Sequence, residues 1–139
     1  CSSFLRAASE EAIVLAGEDA KAYEAMNALW KLEKDDPIRI ASWDDVLLNA
    51  ITVPMKTMEL SHRILVKIQT LIGTTNAMLD SDVVIAAILA EAAARSARLN
   101  VDINLQQVKA GEERTLLEHK SSSLLSECLS ICKTIEDGC

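Results

Sequence analysis

One aspartate, Asp19, occupies a position where a carboxylate is unexpected. Asp19 falls inside an apolar repeat of helical spacing, between Leu15 and Ala22. Burying a carboxylate in such an apolar repeat costs free energy unless the carboxylate is paired. Asp19 therefore either has a polar partner at the edge of the repeat or faces a site. Tyr23 lies one helical turn further on and would share its face. A carboxylate that faces a site could act as a general acid or base.

Asp82 belongs to the segment Asp80-Ser81-Asp82, which precedes a long Ala-rich stretch. One of these residues is predicted to cap the N-terminus of a helix. Free N–H groups at a helix N-terminus favour anions and polar ligands.

Two asparagines, Asn100 and Asn104, lie in a run whose apolar residues alternate with polar ones from Leu99 to Leu105. Taken alone, this alternation predicts a strand. No second strand pattern is available to pair with it, so a helix is predicted instead. The two asparagines then share one face, either as hydrogen-bonded core residues or as ligand contacts.

The cysteines and glycines argue against several common chemistries. Cys128 and Cys132 are four residues apart on a predicted helix, which favours small core residues. Since His119 is the one further ligand nearby, we expect no zinc site and no metal. The glycines are scattered at positions 17, 73, 111 and 138, which excludes a phosphate-binding loop of the P-loop or dinucleotide type.

The charge balance and the length of the apolar runs argue against nucleic acid and a membrane as partners. The formal net charge is −7, and no cluster of Lys and Arg appears, so we expect no nucleic-acid binding. The longest uninterrupted apolar run, residues 83–90, is far shorter than the roughly 20 residues that a membrane span requires. We therefore expect no membrane span.

The elements that must position these residues are long helices. The chain has 139 residues with only 4 glycines and 2 prolines, which predicts a single all-α domain over residues 1–139, built as a bundle of about four long helices. Pro54 is expected to kink the second helix, and the Ala-rich third helix is expected to be central. The predicted helices cover residues 3–34, a second segment from Trp43 with Ser42 at its start, a third after Asp82, and residues 112–136.

The ordered set of motifs resembles the formiminotetrahydrofolate cyclodeaminase / methenyltetrahydrofolate cyclohydrolase family. The resemblance rests on Asn76, on Ser81-Asp82 opening the Ala-rich helix, on Arg95, and on the Leu-Asn-Val-Asp-Ile-Asn run at 99–104. Glu18-Asp19-Ala20-Lys21-Ala22-Tyr23 and Val53-Pro54-Met55 are also similar to family motifs.

The resemblance implies a homodimeric helical bundle with a reduced folate bound near the dimer interface. The implied reaction is the cyclodeamination of formimino-tetrahydrofolate or the hydrolysis of methenyl-tetrahydrofolate, with a tetrahydrofolate derivative as substrate and no cofactor. Asp19 and Asp82 match the positions of catalytic carboxylates. The implied folate-binding residues are Tyr23, Asn76, Ser81, Arg95, Asn100 and Asn104, and Arg95 is either paired structurally or directed at the glutamate tail.

The chain also departs from the family pattern. It lacks the Gly-rich N-terminal segment of the family, and Thr75 stands where the family has glycine. It starts at Cys1 inside a helical pattern, which predicts an N-terminally incomplete domain. These departures favour an alternative, a non-catalytic descendant (a pseudoenzyme) that serves as a dimerisation or scaffold subunit in a larger assembly. The expected location is the cytoplasm, or an organellar matrix or stroma if a transit peptide has been removed.

Overall fold

The computed structural model describes residues 2–74 and 76–139, and the side chain of Ala77 is outside the description. Cys1 and Thr75, which entered the sequence comparison, lie outside the described residues. Four long helices make up the fold, and no strand occurs in the described ranges, so the all-α prediction is confirmed. The helices are α1 (Ser2–Trp30), α2 (Pro37–Gln69), α3 (Asp80–Leu105) and α4 (Glu112–Gly138), with a 3-10 turn at Ala77–Leu79.

The start of α2 differs from the prediction that placed it near Trp43. Asp36 is the N-cap, and its Oδ1 accepts a hydrogen bond from the backbone N–H of Ile38 at 2.8 Å. Pro37 occupies the first helical position, where its missing N–H costs nothing and its fixed φ favours the helix. The proline therefore begins this helix instead of separating it from a later start at Ser42.

The start of α3 also differs from the prediction. The N-cap position is Leu79, whose side chain offers no capping oxygen, and the helix already begins at Asp80. The preceding turn contains Gly73 at φ 69°, a backbone conformation that glycine adopts without strain. The segment 99–105, whose alternation resembles a strand, is helical as predicted. Here the helical context outweighs the local alternation, because an isolated strand would have no partner for its backbone groups.

Helix α2 is the helix that packs against each of the other three, whereas α1 packs on α2 alone within the described chain. One apolar cluster, centred on Ile51 and Met58, joins α2 to α3 and to Met26 of α1. A second cluster joins α2 to α3 and α4 around Leu65 and Ile135. The Ala-rich helix α3 was expected to be central, but within one chain the central helix is α2. Helix α3 buries one face and leaves the opposite apolar face exposed.

The limited packing of α1 explains two further differences from the apolar repeat. Leu5 and Ala12 continue the helical spacing of Leu15 and Ala22 toward the start of α1, but both are exposed, because among the described residues only α2 covers α1. Helix α2 continues through Pro54, and the kink remains a prediction. None of the helices in the described ranges combines the length and the apolar character needed to cross a membrane.

Candidate functional site

A small cleft lies between α1 and α3, with α2 as its floor. Asp19 and Tyr23 of α1 face Asn100 and Asn104 of α3 across Ala50 of α2. The cleft has a volume of about 80 Å³, and Met26 and Trp30 complete its lining. Tyr23 is 64% exposed, so the cleft opens at the surface beside its ring. Four side chains that the sequence singled out from separate motifs therefore line one cavity.

Asn104 is held by a backbone group that Pro54 leaves without its usual helical partner. A proline has no N–H to donate to the carbonyl four residues earlier, which here belongs to Ala50. Asn104 Nδ2 donates to that carbonyl oxygen at 3.1 Å and to the carbonyl oxygen of Asn100 at 3.1 Å. The amide nitrogen is thus committed to the fold, and Oδ1 is the polar atom that Asn104 can offer to a ligand.

Asp19 lies at the cleft, and its role in a site stays a prediction. Its side chain is partly exposed and lines the cleft beside Tyr23. The neighbouring carboxylate of Glu18 points to α2 instead, where its Oε2 lies 3.3 Å from Nζ of Lys56. One acid on this turn of α1 therefore joins the helices together, while the next faces the cleft.

Ser81 and Asp82 lie far from this cleft within the same chain. Both are exposed at the start of α3, whereas Asn100 and Asn104 lie near its end. Asp82 and Asn100 are 18 positions apart on one continuous helix, which corresponds to about 27 Å along its axis. Asn76 is also at that end, and its Oδ1 accepts a hydrogen bond from the backbone N–H of Met78 at 3.2 Å. A single chain therefore does not bring Asp19 and Asp82 together.

Arg95 makes a bidentate contact with a buried acid on its own helix. Its Nε and Nη2 donate to Oε1 of Glu91 at 2.9 and 2.6 Å. The Glu91 side chain is only 10% exposed, and a carboxylate at that depth needs a partner. The structure therefore supports the structural pairing that the sequence left open for Arg95. The sequence reasoning missed Glu91, although its spacing of four residues from Arg95 on an Ala-rich helix is a usable signal.

The cysteines of α4 belong to the core, as the sequence predicted. Cys128 and Cys132 are both buried and both free. Burial, followed by the nearby charge of Glu127, raises the pKa of the Cys128 thiol to about 11. Burial also raises the pKa of Cys132. No group of three or more His, Cys, Asp and Glu side chains in the described ranges could hold a metal ion.

A larger cleft of about 350 Å³ lies at the other side of the α2 N-terminal half, against the start of α4. Its apolar floor includes Leu47, Ile51 and Leu117, and Asp44 and Lys109 are among the charged residues at its rim. None of the candidate site residues lines it.

Comparison with known proteins agrees with the family resemblance of the sequence. The family model described as formiminotransferase-cyclodeaminase matches residues 2–123. The chain belongs to this family. A curated relative from Sus scrofa, formimidoyltransferase-cyclodeaminase, is 33% identical over 125 residues. That match covers 87% of this chain but 23% of the relative, so the chain spans about a quarter of the length of the protein it resembles.

Proposed function

We propose that this domain binds a reduced folate and acts on its one-carbon unit, by cyclodeamination of formimino-tetrahydrofolate or by hydrolysis of methenyl-tetrahydrofolate. The observation that carries the proposal is the cleft in which Asp19 and Tyr23 meet Asn100 and Asn104. Membership of the formiminotransferase-cyclodeaminase family supports the choice of substrate class.

Both reactions require proton movements at a single carbon. In cyclodeamination a folate N–H nitrogen attacks the formimino carbon and gives up its proton, and the amino group of the resulting adduct receives a proton and leaves as ammonia when its carbon–nitrogen bond breaks. In hydrolysis water adds to the methenyl carbon, a proton leaves the attacking water, and one carbon–nitrogen bond breaks with protonation of the nitrogen. Asp19 is the titratable carboxyl group of the cleft, and we assign to it the transfer of these protons.

The amide side chains and the phenol serve to orient the substrate. The remaining Oδ1 of Asn104 and the amide of Asn100 can hydrogen-bond to the amino and ring nitrogens of a pterin. The exposed ring of Tyr23 offers an aromatic face for stacking. The cleft of about 80 Å³ is smaller than the roughly 300–1,000 Å³ of sites that enclose a whole ligand, so it would hold the reacting end of the folate. The rest of the substrate would extend over the surface.

The test compares two adjacent acids of α1. Methenyl-tetrahydrofolate hydrolysis is followed by absorbance, and binding is measured by titration with tetrahydrofolate. We expect D19N to lower turnover about 100-fold or more, because loss of a general acid or base typically costs at least that factor. E18Q is the matched control, since Glu18 pairs with Lys56 outside the cleft, and its turnover is expected to stay near that of the wild type.

Absence of both folate binding and turnover in the folded protein would sink the proposal. The alternative, a non-catalytic dimerisation or scaffold subunit, would then account for the same fold. Equal loss of activity in D19N and E18Q would instead remove Asp19 from its assigned role.

A further inference from the structure

The larger cleft, of about 350 Å³, plays no part in the proposed function but has the size of a small-molecule site. Clefts that bind small molecules usually have volumes of roughly 300–1,000 Å³ and combine an apolar lining with a few polar groups. This cleft lies between the first half of α2, the turn after α3 and the start of α4. Its size and its separation from Asp19 make it a candidate site for a second ligand.

The bottom and the walls of the cleft are apolar. Leu47 and Ile51 belong to the core cluster beneath it, and Leu48 is 40% exposed at its side. Val108 and Leu117 close the cleft from the turn after α3 and from α4, and both pack against the same cluster. A ligand that fills this space therefore needs an apolar body, since covering such surface removes it from water.

Trp43 adds an aromatic wall that is held in place from outside the cleft. The guanidinium carbon of Arg39 lies 4.8 Å from the centre of the Trp43 ring, and Nη1 of Arg39 donates to the carbonyl oxygen of Leu32 at 2.8 Å. Arg39 does not line the cleft, so the ring face that it covers is not the one presented to a ligand. The other face can stack against an aromatic or aliphatic body, and a side chain that is already fixed loses little entropy on binding.

The polar lining is mainly acidic. The carboxylates of Asp44, Asp45 and Glu113 line the cleft together with a single ammonium group, that of Lys109. Within the described part of the chain, none of these four side chains takes part in a hydrogen bond or an ion pair, whereas several acids on other faces of the helices are paired. The excess of unpaired negative charge attracts cations to the cleft and repels anions.

The N-terminus of α4 beside the cleft does not reverse this preference. A helix N-terminus taken alone favours an anion, but Glu112 and Glu113 already occupy the first turn of α4 and offset its dipole. A folate carries carboxylates on its glutamate tail, so the acids disfavour it here. The larger cleft therefore selects a different class of ligand from the small one.

We propose that the larger cleft binds a hydrophobic organic cation, an amine or quaternary ammonium group carried on an aromatic or aliphatic body. The body lies against Leu47, Leu117 and the free face of Trp43, and the cationic group reaches the carboxylates at the rim. A bare cation would leave the apolar lining uncovered, and a neutral apolar molecule would leave the carboxylates unpaired. An aromatic face also attracts an ammonium group directly. No residue of the small cleft takes part, so this proposal does not rest on the proposed function.

The two tryptophans of the chain report separately on the two clefts, because Trp43 lines the larger one and Trp30 lines the small one. The protein is titrated with phenylbutylammonium, and nitrogen–proton NMR spectra follow the two indole N–H signals, which W43F assigns. A ligand of this size is expected to bind in the millimolar range, so the titration extends to about 20 mM. We expect a saturable shift of the Trp43 signal and a constant Trp30 signal, and a Trp43 signal that does not move overturns the proposal.

Two matched probes test the preference for positive charge. Phenylbutanol has the same body without a charge, and phenylbutanoate carries a negative charge instead. The ammonium probe is expected to bind about 10-fold more tightly than the alcohol, the factor that one hydrogen bond to a charged group supplies. The carboxylate probe is expected to bind more weakly than the alcohol. Equal binding of the ammonium probe and the alcohol would make the cleft an apolar pocket without selectivity, contrary to the proposal.

Removing the three carboxylates of the rim tests which groups recognise the cation. In D44N/D45N/E113Q the ammonium probe is expected to bind within about 2-fold of the alcohol, because the charge that distinguishes the two probes has no partner left. All three side chains are exposed, so circular dichroism should show unchanged helix content. A triple variant that folds and keeps the 10-fold preference contradicts the proposal.

The matched control removes three charges outside the cleft. E33Q/D35N/E112Q changes three acids that are also exposed and do not line the cleft, and one of them is the neighbour of Glu113 on α4. Salt screens exposed charges that do not touch the ligand, so this variant is expected to keep the preference for the ammonium probe at about 0.15 M salt. Equal effects of the two triple variants would assign the preference to the net charge of the chain and not to this cleft.

Tetrahydrofolate distinguishes this site from the proposed folate cleft. Added to the protein with phenylbutylammonium bound, it is expected to leave the Trp43 signal in place. Displacement of the probe by tetrahydrofolate would show that the folate itself occupies the larger cleft, and the proposal of a separate cation site would fail. A protein that binds the ammonium probe at Trp43 but binds no tetrahydrofolate would contradict the proposed function alone.

Discussion

The side chain of Asn104 performs a structural task that its position in a motif does not reveal. It donates to the carbonyl of Ala50, which Pro54 cannot satisfy. The bond crosses from α3 to α2 and sets the orientation of the amide that lines the cleft. At this residue, stability of the fold and shape of the site depend on the same nitrogen atom.

This arrangement predicts a thermodynamic coupling between Asn104 and Pro54. N104A leaves the Ala50 carbonyl without its donor and is expected to lower the free energy of unfolding by about 1–3 kcal/mol. In a P54A background the new backbone N–H can bond that carbonyl, so N104A is expected to cost less than about 1 kcal/mol. Urea unfolding of the four proteins measures the difference, and equal costs in both backgrounds would contradict the account.

Cys128 provides a second prediction at the level of a single group. Its pKa is raised from 9.0 to about 11 in the folded chain, so between these values the unfolded chain loses the thiol proton first. Stability that is present below pH 9 is therefore lost as the pH rises toward 11. At pH 10.5 the loss from this thiol is expected to be about 2 kcal/mol.

The measurement compares unfolding free energies at pH 8 and pH 10.5 in the wild type and in C128A. C128A is expected to show the smaller loss, and C139A, which changes an exposed cysteine, is expected to behave as the wild type does. A loss of the same size in all three proteins would show that other groups are responsible.

At the level of elements, the first turn of α2 depends on one capping side chain. Asp36 accepts hydrogen bonds from the backbone of Ile38 and Arg39. D36A is expected to lower the unfolding free energy by about 1 kcal/mol, the usual cost of losing an N-cap. S42A is the control, because Ser42 resembles a cap in sequence but lies inside the helix, and its substitution is expected to change stability by less than about 0.5 kcal/mol. Chemical denaturation that ranks S42A as the more damaging change would place the helix start at Ser42 after all.

The sequence was sufficient for the number and type of elements, since few breakers and helical periodicity leave no room for a sheet. It was insufficient at the ends of helices. Pro37 can end one helix or begin the next, and only the caps formed by its neighbours decide between the two. The alternation at 99–105 was also ambiguous, and the absence of a pairing strand resolved it.

The sequence predicted which residues belong to the candidate site, but not where they lie relative to one another in the fold. Asp19, Tyr23, Asn100 and Asn104 were each identified from local pattern, and the cleft joins them. Asp82 was identified from the resemblance to family motifs, yet α3 carries it about 27 Å from Asn100. Spacing along a sequence reports neighbours on one helix, whereas the way in which residues of α1 and α3 come to line one cleft over α2 depends on tertiary packing.

At the scale of the whole molecule, stability is not evenly distributed. Among the described residues, α1 packs on α2 alone, and its N-terminal half is held mainly by Ala8 and Leu15 against Leu60. Segments with few buried apolar contacts open at lower free energy than the rest of the fold. Helix α1 is therefore the element expected to detach first, carrying Asp19 away from the cleft.

Hydrogen–deuterium exchange tests this expectation. Amides of residues 2–20 are expected to exchange faster than those in the middle of α2. L60A is expected to accelerate exchange in α1 selectively, while I135A, which affects the cluster that joins α2 to α3 and α4, is expected to accelerate exchange in those helices and not in α1. Uniform protection across α1 and α2 would indicate that the four helices unfold as a single unit.

The bond between Asn104 and the Ala50 carbonyl predicts how Asn104 and Pro54 vary among related chains. In a chain with another residue in place of Pro54, the backbone N–H of that residue can bond the carbonyl. Asn104 is then no longer needed as its donor. A chain that replaces Asn104 while it keeps the proline leaves a polar backbone group unpaired. Among relatives we therefore expect the asparagine to persist wherever the proline does, and to vary first in lineages that have lost the proline.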